Sequence, residues 1–174
     1  MHKIIFLDRD GTINKDDGYT NKVGDYKLLP NTIKGLKKLQ SQKFKLIIVT
    51  NQSGIGRGYY TEDQMHEFNN HLLNKLKQEN IDIKEVLFCP HTPEDNCNCR
   101  KPKTKLIESY FTPDFDKNNS YVIGDRASDI ELANNAGIKS VLVTTGSSEN
   151  DPESNSNTTF IAEDLLDEAN KIQN

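Results

Sequence analysis

Four short apolar runs constrain this chain more than any other feature: KIIFL (3–7), KLIIV (45–49), YVIG (121–124) and SVLV (140–143). None alternates like a strand with one wet face. Each therefore reads as a strand buried on both faces, the habit of parallel sheets. Between the runs lie helical patterns: Asn31 to Leu39, with Ile33, Leu36 and Leu39 on one side, then Thr61 to Lys77, and Ser128 to Asn135. Thr61 can cap the second of these, with Glu62 and Asp63 at the positive end of its dipole. Met65, Phe68, Leu72, Leu73 and Leu76 repeat at helical spacing and read as core contacts. A further strand, EVLFC (85–89), a polar loop over 146–158 and a closing helix over 161–172 complete the pattern. Strands alternating with helices predict an α/β fold, a parallel sheet flanked by helices. A chain of 174 residues suits one domain around one core.

Polar residues follow every run: Asp8 after the first, Thr50 and Asn51 after the second, Asp125 after the third, Thr144 and Thr145 after the fourth. Open parallel sheets place their ligand crevice at these carboxyl ends. Turn chemistry accounts for Asp10 and Gly11 but leaves Asp8 unexplained. A calcium loop beginning at Asp8 would need Gly at its sixth position and Glu at its twelfth, where Ile13 and Tyr19 stand. The chemical reading is a Mg²⁺ site in which Asp8 and Asp125 supply hard oxygen ligands and a substrate phosphate completes the shell. One carboxylate can then attack phosphorus through an aspartyl-phosphate intermediate, and Asp10 can exchange a proton with the leaving oxygen and with water.

Cys89, Cys97 and Cys99 fall within eleven residues, an odd number for disulfide pairing. With His91 they form C-x-H, a five-residue spacer and C-x-C, a set of soft ligands suited to a closed, structural Zn²⁺ site. Such a site would fix a loop with little core of its own (89–101) and deliver Arg100 and Lys101 directly after Cys99. His2, His66 and His71 read as surface or helix residues.

Bulk properties exclude several classes. The net charge is −4, with lysines scattered among acids, so no basic stripe exists to meet nucleic acid. No apolar stretch reaches the ~20 residues needed to cross a bilayer, and the N-terminus lacks a signal-peptide pattern, which predicts no membrane partner and a cytoplasmic protein. Gly54-Ile55-Gly56-Arg57-Gly58 has the wrong spacing for a dinucleotide site and reads as a substrate loop. A DNA-end phosphatase would share D-x-D-G-T, but the acidic balance and absence of a stacking groove oppose it.

Taken together, Asp8-Arg9-Asp10-Gly11-Thr12, Thr50, Lys101 and Gly124-Asp125 resemble the four motifs of the haloacid dehalogenase superfamily of phosphatases. The resemblance implies a capless Rossmann-like domain spanning 1–174. It also implies Asp8 as nucleophile, Asp10 as acid/base, Thr50 and Lys101 as holders of the phosphoryl group, and Asp8, Asp10 and Asp125 at Mg²⁺. The C-x-H…C-x-C-R-K-P loop is similar to the branch holding the D-glycero-D-manno-heptose-1,7-bisphosphate 7-phosphatases and the histidinol-phosphate phosphatases. LDRDGTIN, Gly18-Tyr19, TNQSGIGRG and the TTG after the last strand resemble the heptose enzymes, whereas the five-residue spacer and SYVIGDRASDIELANNAG resemble the histidinol enzymes. Weight falls on the heptose side, because the segments after the first two strands lie beside the leaving group. That family implies substrate contacts from Asp16, Asp17, Gly18 and Tyr19, from Asn51, Gln52 and Ser53, and from Arg100 and Arg126. The expected substrate is a small phosphorylated metabolite and the expected state a monomer. Asp129, one turn past Asp125, is expected to support the Mg²⁺ site from behind rather than to ligate.

Overall fold

The computed structural model describes residues 1–146 and 157–172. Its centre is a six-stranded parallel sheet in the order β3-β2-β1-β4-β5-β6. The strands are β1 (Ile4–Leu7), β2 (Lys45–Asn51), β3 (Ile83–Cys89), β4 (Tyr121–Gly124), β5 (Lys139–Val143) and β6 (Phe160–Ala162). Helices α1 (Thr32–Ser41), α2 (Ser53–Gly56), α3 (Glu62–Gln78), α4 (Ala127–Ala136) and α5 (Leu165–Lys171) connect and cover them.

The apolar runs are continuous because both faces of the sheet are dry. Ile5, Leu7, Leu46, Ile48, Ile123 and Val141 share one core with residues of α1, α3 and α5. Their neighbours Ile4, Phe6, Ile47, Val49 and Val122 point the other way, into a second core with Ile107 and with Leu132 and Ala133 of α4. Thr61 caps α3 as expected, accepting from the Gln64 N–H at 3.2 Å while its own N–H donates to Gln64 Oε1 at 2.9 Å. Gly35 brings α1 against α5, since a Cβ there would lie 2.5 Å from the Leu165 backbone.

The expected closing helix is corrected. Phe160–Ala162 instead forms β6, pairing in parallel with Val141–Val143. The helix starts only after Asp164, whose Oδ1 accepts from the N–H groups of Leu166 and Asp167. A three-residue edge strand is too short to show a period of its own. β2 also runs two residues beyond the apolar run, so Thr50 and Asn51 are held by strand pairing opposite Phe88 and Cys89. Most of the expected 146–158 loop lies outside the described residues. No helix among the described residues is long and apolar enough to cross a membrane.

Candidate active site

The strand order turns back between β1 and β4, since β2 lies on one side of β1 and β4 on the other. The crevice of a doubly wound sheet opens at that switch point. Asp8 leaves β1 there, its N–H bonded to the Ile123 carbonyl of β4 at 2.9 Å, and Asp125 follows β4 on the same edge. Asp129 on α4 joins them, and the three buried side chains each offer an oxygen within 4.8 Å of the others.

Lys101 answers this negative charge. Its Nζ is buried and donates to Asp8 Oδ1 at 2.8 Å, Asp129 Oδ1 at 2.7 Å and the Val49 carbonyl at 2.7 Å. Burial alone would lower the Lys101 pKa, but Asp129 and Asp8 outweigh it and hold the ammonium above the ordinary lysine range. Burial pushes Asp129 up to about 7; Lys101 opposes the rise and the charges of Asp8 and Asp125 add to it. Arg126 is the other nearby cation, with Nε 4.0 Å from Asp125 Oδ2. Three carboxylates against these cations are an electrostatically crowded set that a divalent ion relieves.

The backbone around the set is stripped of side chains. A Cβ on Gly11 would fall 2.5 Å from Asp125 Oδ2, and one on Gly146 2.0 Å from the same atom. At Gly124 a Cβ would meet Asp129 Oδ2 at 2.2 Å. Gly11 also has φ +85°, a conformation that glycine adopts without strain, and the Thr145 hydroxyl braces its carbonyl at 2.7 Å. Hard oxygen donors in a cradle closed to side chains fit a small cation such as Mg²⁺. Asp10 is not a member of the cluster. Its carboxylate is held by Arg9 and Gln52, and burial raises its pKa against the pull of Arg9.

A cavity of about 370 Å³ opens over these groups. Asp8, Asp10, Thr50, Lys101 and Asp129 line it, together with Asp16, Gly18, Tyr19, Asn51, Gln52, Ser53, Arg100 and Arg126, the residues named from the sequence as candidate substrate contacts. Asp17 does not line it. The Gly18 N–H donates to Asp16 Oδ1 at 2.9 Å, which turns Asp16 inward, where it accepts from Arg126 Nη2 at 2.7 Å. Asp17 is left outside, paired with Lys15. Asn51 lines the cavity but its amide grips the Lys101 backbone, accepting from its N–H at 3.0 Å and donating to its carbonyl at 3.2 Å. Arg57 of the expected substrate loop lines the cavity too, and Tyr60, Pro93 and Ser128 are lining residues that the sequence did not single out. No spacing rule points to these three, because Tyr60 and Pro93 lie between the main elements and Ser128 sits in the first turn of α4, where only the fold sets what faces the cavity.

The cysteine loop closes on itself. Cys89 ends β3, and its Sγ lies 3.5 Å from Cys97 Sγ, 3.2 Å from Cys99 Sγ and 3.7 Å from His91 Nδ1. His91 Nδ1 and Cys99 Sγ are 3.2 Å apart. These separations exceed the ~2.05 Å of a disulfide and are close to the ~3.8 Å sulfur–sulfur edge of a tetrahedron with 2.3 Å Zn–S bonds. The donor set fits Zn²⁺. Two hydrogen bonds tie the loop to the cavity wall: Gln52 N–H to the Cys89 carbonyl at 2.7 Å and Gly56 N–H to the Pro90 carbonyl at 2.9 Å.

An aspartate just after β1, a lysine bridging two carboxylates and a carboxylate cradle at the sheet's switch point are the fold and site of a phosphatase. The chain belongs to the haloacid dehalogenase-like phosphatases. The family model described as HAD-hydrolase-like matches residues 98–168. A probable D-glycero-D-manno-heptose-1,7-bisphosphate 7-phosphatase of Thermoplasma volcanium is 49% identical over 128 residues, 71% of this chain and 86% of the relative. The D,D-heptose 1,7-bisphosphate phosphatase of B. bronchiseptica, solved with magnesium and phosphate, superposes with a TM-score of 0.85 at 28% identity over 97% of both chains. The histidine biosynthesis bifunctional protein HisB of Blochmanniella floridana is 42% identical over 143 residues, 80% of this chain but 40% of that protein.

Proposed function

We propose that the protein removes the 7-phosphate of D-glycero-D-manno-heptose 1,7-bisphosphate, as a Mg²⁺-dependent phosphatase with a structural Zn²⁺. The observation that carries the proposal is the wall of the cavity. Asp16, Gly18 and Tyr19, the Thr50–Ser53 stretch and Arg100 line the same cavity as Asp8, and the relatives matched over most of their own length bear that activity in their names. Arg100, which lines the cavity, suits the second phosphate of a bisphosphate, which a guanidinium can bind through two N–H groups.

In this reading the Asp8 carboxylate attacks phosphorus, the bond to the sugar oxygen breaks, and Asp10 gives that oxygen its proton. Water then attacks the aspartyl phosphate, Asp10 takes the proton back, and phosphate leaves with Asp8 regenerated. Lys101 and Thr50 supply positive charge and a hydroxyl donor to the phosphoryl oxygens. Asp8 and Asp125, with Asp129 in the same cluster, would hold Mg²⁺, which when bound neutralises charge on the transferring group. Cys89, His91, Cys97 and Cys99 would hold Zn²⁺ and thereby fix Arg100 and Lys101. Residues 1–174 act as one domain, a cytoplasmic monomer working on a small phosphorylated metabolite.

Histidinol phosphate is the competing substrate, favoured by the short zinc-loop spacer and by the partial match to HisB. The two are separated by kcat/KM for phosphate release from each, side by side with Mg²⁺ present. The sugar bisphosphate is expected to be preferred by about a hundredfold or more, the scale of a site with polar groups committed to one substrate. A preference for histidinol phosphate would overturn the proposal.

A further inference from the structure

Beside the cavity, Gln52, Arg9 and Tyr60 form a hydrogen-bond circuit with Thr50 and Asp10, and the proposed chemistry assigns those first three side chains no part. Gln52 is 2% exposed. Its Nε2 donates to Thr50 Oγ1 at 2.8 Å and to Asp10 Oδ2 at 3.0 Å. Its Oε1 accepts from the Tyr60 hydroxyl at 2.6 Å and from Arg9 Nη2 at 3.2 Å. A carboxamide has two hydrogens and two lone pairs, and here all four are spent within the protein. Gln52 therefore has nothing left to offer a substrate, in contrast to the contact role expected from the sequence.

The amide cannot be turned over. Arg9 can only donate, so the atom facing it must be the oxygen, and the nitrogen must then face Asp10 and Thr50. Arg9 is itself immobilised. It is fully buried over the Phe68 ring at 4.7 Å, and it donates to Asn69 Oδ1 at 2.8 Å and to the Thr20 carbonyl at 2.7 Å. Tyr60 is fixed by close packing, since a Cβ on Gly54 would lie 2.1 Å from its ring.

Two consequences reach the reacting groups. Thr50 Oγ1 accepts from Gln52, so its own hydrogen is free to point at a phosphoryl oxygen. Asp10 Oδ2 receives Gln52 Nε2, Arg9 Nη2 at 2.7 Å and Arg9 Nε at 3.1 Å, whereas Oδ1 receives only a share of Arg9 Nε at 3.0 Å. Oδ2 is anchored, and Oδ1 is the oxygen left to face the leaving group. We propose that Gln52, oriented by Tyr60 and Arg9, is a positioning residue that sets the phosphoryl-binding hydroxyl of Thr50 and the acid/base carboxyl of Asp10 in register through one amide. This rests on the phosphatase reading.

The test compares two phosphomonoesters with the full-length, Mg²⁺-loaded protein. p-Nitrophenyl phosphate releases a stable phenolate that needs no proton, whereas glycerol phosphate releases an alkoxide that does. Proper placement of an acid contributes about 10²- to 10⁴-fold only where the leaving oxygen must be protonated. Gln52→Met is thus expected to lose at least about tenfold more kcat/KM on glycerol phosphate than on p-nitrophenyl phosphate, with the loss in kcat rather than KM. Tyr60→Phe, which removes one hydroxyl, is expected to show the same skew at smaller size, and it decides the matter alone if Gln52→Met does not fold. Equal losses on the two esters, or a loss confined to KM, would overturn the inference while leaving the phosphatase reading in place. A wild-type protein inactive on both esters and on the sugar bisphosphate would overturn that reading, and the inference with it.

Discussion

Replacing Glu168 by leucine is expected to stabilise the protein, and to do so increasingly as pH rises. Glu168 sits on α5 with no exposed surface, and among the described residues neither carboxylate oxygen has a hydrogen-bond partner. Burial, then the charge of neighbouring Asp167, raises its pKa well above the ordinary value of 4.5. The sign follows from which state holds the proton. Below pH 4.5 the folded and unfolded chains are both protonated at this position and it adds no pH dependence. As pH climbs past that value the unfolded chain releases its proton and the folded one keeps it, so stability falls by up to about 1.4 kcal/mol per pH unit until the buried group ionises too. Leucine fills a similar volume without that liability and removes an unsatisfied polar group, worth about 1–3 kcal/mol. For a chain of this size each kcal/mol is about 2–4 °C in Tm. Thermal unfolding of both proteins from about pH 4 to about pH 8, at fixed Mg²⁺ and Zn²⁺, reads the difference directly. A gap that stays constant with pH, or a wild type more stable than the variant at the alkaline end, would refute the reasoning.

Three further outcomes are expected. Asp8→Asn should lower phosphate release by more than about 10³-fold, the scale on which a lost nucleophile acts, with an unchanged circular dichroism spectrum; a folded variant that keeps substantial turnover would exclude Asp8 as the attacking group. Cys97→Ser should lose zinc by elemental analysis and lose activity with it, because Lys101 follows the loop by two residues from Cys99; zinc-free protein with full activity would contradict this. Asp16→Asn releases the Arg126 contact at the cavity mouth and should raise KM several-fold. It should cost no more than about 1 kcal/mol of stability, as for other exposed ion pairs. Asp17→Asn serves as the comparison and should leave KM unaltered, and equal effects from the two would show that the turn is read wrongly.

The sheet was legible because burial on both faces leaves apolar runs with no polar interruption, and each run reappeared as a strand to within two residues. β6 escaped because Phe160–Ala162 is too short for any period and runs into a helix three residues later. At the site, position after a strand pointed to Asp8, Thr50 and Asp125, and Asp10 shares the turn of Asp8, whereas Lys101 was singled out by the cysteine loop before it and by the family resemblance. Direction was not readable. Asn51, Gln52 and Ser53 are consecutive, yet Asn51 grips the Lys101 backbone and Gln52 faces Asp10, choices made by strand pairing and a short helix rather than by composition. Asp16 and Asp17 were equivalent on paper until a left-handed turn at Gly18 and Tyr19 separated them. Arg9 gave no signal either, since a fully buried guanidinium is uncommon and only the fold supplies its acceptors.

The cysteine loop is pinned at both ends by things other than its middle. Cys89 is locked in β3 opposite Asn51, and Asn51 reaches across to clamp the backbone of Lys101. The segment from Thr92 to Asn96 hangs between those anchors and contributes Pro93 to the cavity wall. The loop is in this sense a cassette: its spacer can be lengthened, shortened or exchanged, reshaping what the cavity admits, while the lysine that serves the chemistry keeps its address. Selection, or a protein engineer, could therefore retarget the enzyme by editing five residues that never touch the reacting atoms.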